Sequence, residues 1–170
     1  QYTGNLGVAL VTTGPGGTNA ITGVAGAWLD STPMLIISGQ VKRPDLAGNT
    51  GVRQMGFQEI DIVGIVRPVT KYAVTVMEPD SIRYHLEKAV HLARHGRPGP
   101  VWVDIPLDVQ AAEIDEHALR AFDGANAPQS GDAELSGKVL AAIELLDKAQ
   151  RPVILAGNGI RLANAQEDFL

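Results

Sequence analysis

Cysteine is absent from the 170 residues, which excludes disulfides and thiolate metal sites and fits a reducing compartment. Positive charge is also sparse. The 14 Lys and Arg are outnumbered by 19 Asp and Glu, for a net charge of −5, and they form no run. Neither nucleic acid nor an anionic membrane surface is therefore an expected partner. No apolar stretch approaches the roughly 20 residues that cross a bilayer. The opening Gln1-Tyr2-Thr3-Gly4-Asn5 has no initiator Met and no signal pattern, and reads as a chain entered midway. What remains is 45% hydrophobic and 19% charged. That suits a soluble globular protein of one domain and the beginning of another.

The pattern along the chain is α/β. Residues 7–11 form a short apolar run that stops at Thr12-Thr13-Gly14-Pro15-Gly16-Gly17, as a strand stopped by a turn does. Thr18 or Asn19 is the expected cap of a helix reaching about Leu29. Met34–Ile37 reads as a buried strand, completing a parallel crossover unit. The polar stretch from Gly39 to Gly56 is too long for an idle connection and is expected to be functional. A short helix is expected at 58–65 and a strand at 70–76. Ile82, Leu86, Ala89, Val90 and Ala93 predict a helix over 80–95, and Val101–Ile105 a further strand. Residues 1–110 are thus expected to form one domain, 111–134 a linker with its most linker-like part at Pro128–Asp132, and 135–170 the start of a second α/β domain. In that last segment Leu135, Val139, Ala142, Ile143 and Leu146 share a helix face, and Pro152–Gly157 reads as a strand.

The glycine-rich turn falls where a parallel strand gives way to a helix, the edge at which α/β sheets collect ligands. Glycines there are expected to admit a flat ligand close to the backbone. No Gly-Lys-Ser/Thr follows, and no Gly-x-Gly-x-x-Gly is present, so neither a Walker nor a dinucleotide fingerprint applies. Ser38 lies in no Gly-x-Ser-x-Gly elbow. His91 and His95 have ligand spacing, but Leu92 rather than Glu follows His91 and no third ligand is apparent. A solvated helix face is preferred to a metal site. Asp45, Glu59 and Asp61 are read as caps or surface acids, Lys71 as an ion-pair or rim residue, and Trp28 and Trp102 as packing residues.

Four motifs in order carry a resemblance. They are Gly7–Lys42 with its Thr-Thr-Gly-Pro-Gly-Gly-Thr-Asn turn, Phe57-Gln58-Glu59-Ile60-Asp61-Ile62-Val63, Arg67-Pro68-Val69-Thr70-Lys71, and Gly96-Arg97-Pro98-Gly99-Pro100 running into Val101–Pro106. Over about residues 4–110 the chain resembles the pyrimidine-binding domain of thiamine-diphosphate enzymes of the acetolactate synthase type. The resemblance implies a parallel sheet flanked by helices, with Thr12, Pro15 and Asn19 near the aminopyrimidine ring. It implies that Phe57 and Gln58 project toward the reacting carbons, Gln58 holding a substrate oxygen without added charge. Arg97 matches an arginine that touches flavin, so FAD joins thiamine diphosphate as a possible cofactor. Magnesium is implied on a domain outside this chain, and the residues here supply no metal ligand. The glutamate that activates the aminopyrimidine is expected upstream of Gln1. The implied parent is a cytoplasmic enzyme, at least a homodimer with its active site between subunits, that decarboxylates a 2-oxo acid such as pyruvate and ligates the remainder to a second carbonyl. The alternatives are simple decarboxylation, C–C lysis, cyclic-diketone hydrolysis, or a non-catalytic paralogue. Two departures from the family pattern, Arg53-Gln54-Met55-Gly56 before Phe57 and Leu107 where Lys is frequent, bear on acceptor and flavin.

Overall fold

The computed structural model describes residues 3–124 and 134–170, which fall in two compact units divided between Ala127 and Pro128. The first unit contains a sheet of β1 (Gly7–Val11), β2 (Met34–Gln40), β3 (Tyr72–Thr75) and β4 (Pro100–Pro106) in the order β1-β2-β4-β3. Every pairing is parallel. The two central strands are near-continuous apolar runs, as strands covered on both faces must be.

Helix α1 (Pro15–Leu29) and the short α2 (Ile62–Val66) lie on one face. There Val24, Ile36, Ile62, Val63, Val66 and Trp102 form a buried cluster. The other face carries α3 (Ile82–Arg94), whose Ala89 and Ala93 meet Leu35, Val76, Val101 and Val103. The four-residue α4 (Leu107–Gln110) follows β4 directly and adds Val109 to that cluster. On the α3 side β1 is uncovered, leaving Val8 63% and Leu10 79% exposed.

Several boundaries differ from expectation. Helix α1 starts at Pro15, three residues before the expected cap, with Gly14 at the N-cap and no side-chain cap bond. Proline's fixed φ starts a helix without help from Thr18, whose hydroxyl instead donates back to the Pro15 carbonyl at 3.3 Å. Strand β2 runs on to Gln40, so the expected loop begins later than Gly39. The expected helix at 58–65 is displaced to Ile62–Val66, because the side chain of Asp61 accepts from the Gly64 N–H and caps it there. The expected strand at 70–76 is Tyr72–Thr75.

The stretch after β4 is packed on α3 up to the last described residue before the gap. The Phe122 N–H donates to Glu87 Oε2 at 2.7 Å, and the Phe122 ring meets Tyr84 edge-on at 5.6 Å and His91 at 5.4 Å. His91 and His95 stack on each other with centroids 3.7 Å apart, so this helix face is partly covered by aromatic packing. The expected linker core at Pro128–Asp132 lies outside the described residues.

Tyr72 and His85 are 2.6 Å apart, from hydroxyl to Nδ1. Burial, and secondarily Lys88, holds His85 below its ordinary 6.5. Burial, then the neighbouring Tyr84, pushes Tyr72 up to about 12. A histidine depressed in the folded state binds its proton later than the unfolded chain does. Its stabilising contribution is therefore complete above 6.5 and is lost as the pH falls from 6.5 through the folded value. The thermal midpoint of the protein should fall over that window, and His85→Gln should flatten the slope. An unchanged slope in the variant would show that His85 does not carry it.

The second unit holds α5 (Leu135–Lys148), α6 (Gly159–Leu162) and α7 (Gln166–Phe169). The apolar stripe of α5 is exposed, Leu135 by 58% and Ile143 by 47%. The strand expected at Pro152–Gly157 is not formed. A strand needs a ladder partner, and among the described residues this unit contains no other extended segment. Val153 and Leu155 are 90% and 97% exposed.

Candidate functional site

The site candidates gather at the C-terminal edge of the sheet. Strand β1 ends at Val11 and the chain turns at Gly14, whose φ is +59, a conformation that favours glycine. A Cβ on Gly14 would overlap the carbonyl oxygen of Gln58. The turn and the Phe57–Gln58 loop, which are 44 residues apart in sequence, therefore meet backbone to backbone. Gln58 is itself at φ +60, an unusual setting for a non-glycine residue. Phe57 projects from the same loop, 83% exposed.

The glycines make room for the protein's own atoms. A Cβ on Gly16 would strike the Thr12 methyl at 2.6 Å, and one on Gly17 would press on Ile62 at 3.3 Å and approach Trp102 at 3.6 Å. Side chains are absent so that the turn, helix and loop can pack on one another; the space beside these glycines is filled by the protein. What faces solvent is the rim of Thr12, Pro15 and Asn19. Beside it lies an open cleft of about 680 Å³, lined by Leu10, Thr12, Thr13, Ile37, Ile105, Leu107 and Gln110 among others.

Arg97 is not brought to this edge. It precedes β4 and donates from Nε to Ser31 Oγ at 2.7 Å, at the N-terminal edge of the sheet. A seven-residue strand, about 20 Å long, separates it from the turn. Lys71 shares that remote edge, where its Nζ donates to the His95 carbonyl at 2.6 Å and closes the end of α3. Burial lowers its pKa.

The loop between β2 and α2 is held by its acids. Glu59 accepts from the N–H groups of Ala47 at 2.6 Å and Met55 at 2.9 Å, and so ties the two ends of the 47–55 segment together. Arg43 fastens the start of the loop, binding Asp108 through its backbone N–H at 3.0 Å and its Nε at 2.7 Å. That pairing holds the Asp108 carboxyl below its usual range.

Four polar residues at this edge form a network that was not foreseen: Ser38 was weighed only as a nucleophile, and Gln40, Thr75 and Asp104 were not singled out. Ser38, Asp104 and Thr75 stand side by side in register on β2, β4 and β3. Asp104 is 1% exposed, and its carboxylate accepts from Ser38 Oγ at 2.5 Å, Gln40 Nε2 at 3.2 Å and Thr75 Oγ1 at 3.2 Å. Trp102 Nε1 donates to Ser38 Oγ at 2.8 Å. Burial pushes the Asp104 carboxyl upward, while the three donors pull the other way. Gln40 extends the network to the turn and to the loop. A sequence signal did exist: Ser38-x-Gln40 and Trp102-x-Asp104 put polar groups on one strand face.

The rim residues Thr12, Pro15 and Asn19 are uncharged, one apolar ring and two neutral hydrogen-bonding side chains. That donor set fits a neutral aminopyrimidine and is unsuited to a diphosphate. Among the described residues no group of three or more His, Cys, Asp or Glu is arranged for a metal ion, and no helix is long and apolar enough to cross a membrane.

A four-stranded parallel sheet with helices on both faces and a glycine-proline turn at its C-terminal edge defines an α/β domain. Residues 1–65 match the family described as "Thiamine pyrophosphate enzyme, N-terminal TPP binding domain", so this part of the chain is similar to the cofactor-binding domain of such enzymes. The chain is similar along nearly its whole length to acetolactate synthase large subunits. It is 40% identical over 171 residues to that of Buchnera aphidicola, covering 99% of this chain and 29% of the relative. With the Corynebacterium glutamicum large subunit it is 42% identical over 174 residues, covering 99% and 26%. The glyoxylate carboligase of Escherichia coli O157:H7 is 44% identical over 165 residues, covering 95% and 26%. The chain thus spans under a third of the length of these relatives.

Proposed function

We propose that the protein carrying this chain is a thiamine-pyrophosphate-dependent carboligase of the acetolactate synthase type, converting two pyruvate to acetolactate and carbon dioxide. The observation that carries the proposal is the contact between Gly14 and Gln58. It joins the expected cofactor turn and the expected substrate loop at one sheet edge, in a chain related throughout to acetolactate synthases. When bound, the cofactor supplies a carbon nucleophile and an electron sink for decarboxylation. Thr12, Pro15 and Asn19 hold its aminopyrimidine end, the proline as an apolar platform and the other two at the polar edge. Gln58 steadies a substrate oxygen, and Phe57 shields the reacting carbons from water.

Further assignments follow from the family and from the greater length of the relatives. Magnesium sits with the diphosphate on another domain, and the active site is completed across a subunit boundary, so the enzyme works as at least a homodimer in the cytoplasm. Residues 1–110 serve as the pyrimidine domain, 111–134 as its linker and 135–170 as the start of the central domain. Arg97 faces FAD if flavin is present, at the edge remote from the turn. A role in branched-chain amino acid synthesis goes with acetolactate as product.

A second reading takes glyoxylate in place of pyruvate. It is favoured by the 44% identity to glyoxylate carboligase and by Leu107, which puts an apolar group rather than a cation into the cleft. Calorimetry of the full-length protein with thiamine pyrophosphate and magnesium should show saturable binding, and product analysis with each 2-oxo acid should decide between the two. Acetolactate from pyruvate supports the first reading. Ligation of glyoxylate alone supports the second, and absence of binding would dispose of both.

A further inference from the structure

Behind the contact of Gly14 with Gln58, one side chain grips both partners. Gln40 is 6% exposed. Its Oε1 accepts from Thr13 Oγ1 at 2.9 Å, in the turn, and from the Val41 N–H at 2.9 Å. Its Nε2 donates to the Ile60 carbonyl at 3.0 Å, at the foot of the Phe57–Gln58 loop, and to Asp104 at 3.2 Å. A primary amide has one accepting end and one donating end. Val41, Ile60 and Asp104 demand the same way round, and the Thr13 hydroxyl rotates to donate to the oxygen so placed; an inverted amide would face oxygen to oxygen at Ile60 and nitrogen to nitrogen at Val41.

Asp104 helps to impose that choice. Its Oδ2 has Gln40 and Thr75 donating to it, while Oδ1 takes the Ser38 hydroxyl, which is turned that way by the indole N–H of Trp102 on its oxygen. Each group therefore has its direction set by the next, from the packed core outward to the rim. No described buried side-chain polar atom is left without a partner, so the chain of bonds is closed and stiff.

We infer that Gln40 and Asp104 are positioning residues of the cofactor site: Asp104 orients the Gln40 amide, and Gln40 locks the Thr13 turn to the Ile60 end of the Phe57–Gln58 loop. The two bonds of Gln40 have separable consequences, since the Thr13 side governs how the turn receives the aminopyrimidine and the Ile60 side governs where Phe57 and Gln58 stand. This inference rests on the function proposed above.

The test uses the full-length holoenzyme, measuring half-saturation by thiamine pyrophosphate, kcat at cofactor saturation, and thermal midpoint. Thr13→Val removes only the turn-side donor. It should raise the half-saturating cofactor concentration roughly threefold, with a small drop in midpoint and a smaller effect on kcat at cofactor saturation than Gln40→Glu has. Gln40→Glu keeps the turn-side acceptor but sets a carboxylate against Asp104 and the Ile60 carbonyl. At about pH 8 it should weaken cofactor binding roughly tenfold and lower kcat as well. Both should recover toward about pH 6, as protonation returns a donor to that carboxyl. Adding Asp104→Asn supplies a donor opposite the introduced carboxylate. The double variant should regain cofactor affinity to within about threefold of wild type while kcat stays low, because Ile60 is still unheld. Should Gln40→Glu fail to fold, Thr13→Val decides. Cofactor affinity within twofold of wild type in Thr13→Val, or affinity and kcat tracking the thermal midpoint together in every variant, overturns the inference. A wild-type protein that binds no cofactor removes the functional reading itself, and this inference with it.

Discussion

Gly14→Ala is expected to abolish cofactor binding and to destabilise the first unit by at least about 2 kcal/mol. The backbone at Gly14, φ +59 and ψ −117, is one that an L-residue rarely adopts and costs it about 1–3 kcal/mol. The added methyl also collides with the Gln58 carbonyl oxygen, which is backbone and cannot swing aside. Relief of that collision would part the turn from the Phe57–Gln58 loop, so both walls of the site move at once. Gly23→Ala is the control. That glycine is also in α1, but a Cβ there meets nothing within 4 Å, and the change should stabilise by up to about 1 kcal/mol. Denaturant unfolding and cofactor titration of the two variants would check the pair. Equal stability of the two would mean that the turn tolerates a side chain.

Trp102→Ala should produce the largest loss of stability from a single core substitution, about 3–5 kcal/mol, against a total of about 5–15 kcal/mol for a typical domain. The indole is fully buried and fills the space between β4 and the glycine face of α1. Its removal leaves a void and also takes the N–H donor from Ser38. Trp102→Phe separates the two effects, since it retains most of the volume but not the donor. The hydrogen bond alone should cost about 1 kcal/mol. If the phenylalanine variant were as unstable as the alanine one, the polar row rather than the packing would be the dominant contribution. Unfolding midpoints measured at equal slope would settle the comparison.

The architecture was largely legible because parallel strands buried on both faces appear as unbroken apolar runs. Met34–Ile37 and Val101–Ile105 marked β2 and β4 within a few residues, and the stripe from Ile82 to Ala93 marked α3. The cap rule misplaced the start of α1 because it looks for a side-chain acceptor, whereas Gly14 and Pro15 start that helix by backbone conformation. Pro152–Gly157 has the composition of a strand, but composition cannot supply the neighbour that makes one. At the site, the turn and the Phe57–Gln58 loop were legible as motifs, while their direct contact was not. The polar row was harder still. Ser38, Gln40, Thr75 and Asp104 are separated by up to 66 positions, and each looks like an ordinary strand end until register aligns them. The glycines were noticed for the right reason, lack of a Cβ, but the atoms that need the space are those of Gln58, Thr12, Ile62 and Trp102.

The strand order has a consequence for biosynthesis. Ser38 cannot meet Asp104 until a further 66 residues have left the ribosome, which at about 5–20 residues per second is a wait of roughly 3–13 s. Through that interval β1 and β2 have no third strand, and their apolar flanks are open to chaperones and to neighbouring nascent chains. Arrival of β4 fills the gap between β2 and β3 and completes the carboxylate row in the same event. Mutations that weaken that row should therefore reduce the yield of folded protein in the cell more than the equilibrium stability of the molecules that succeed.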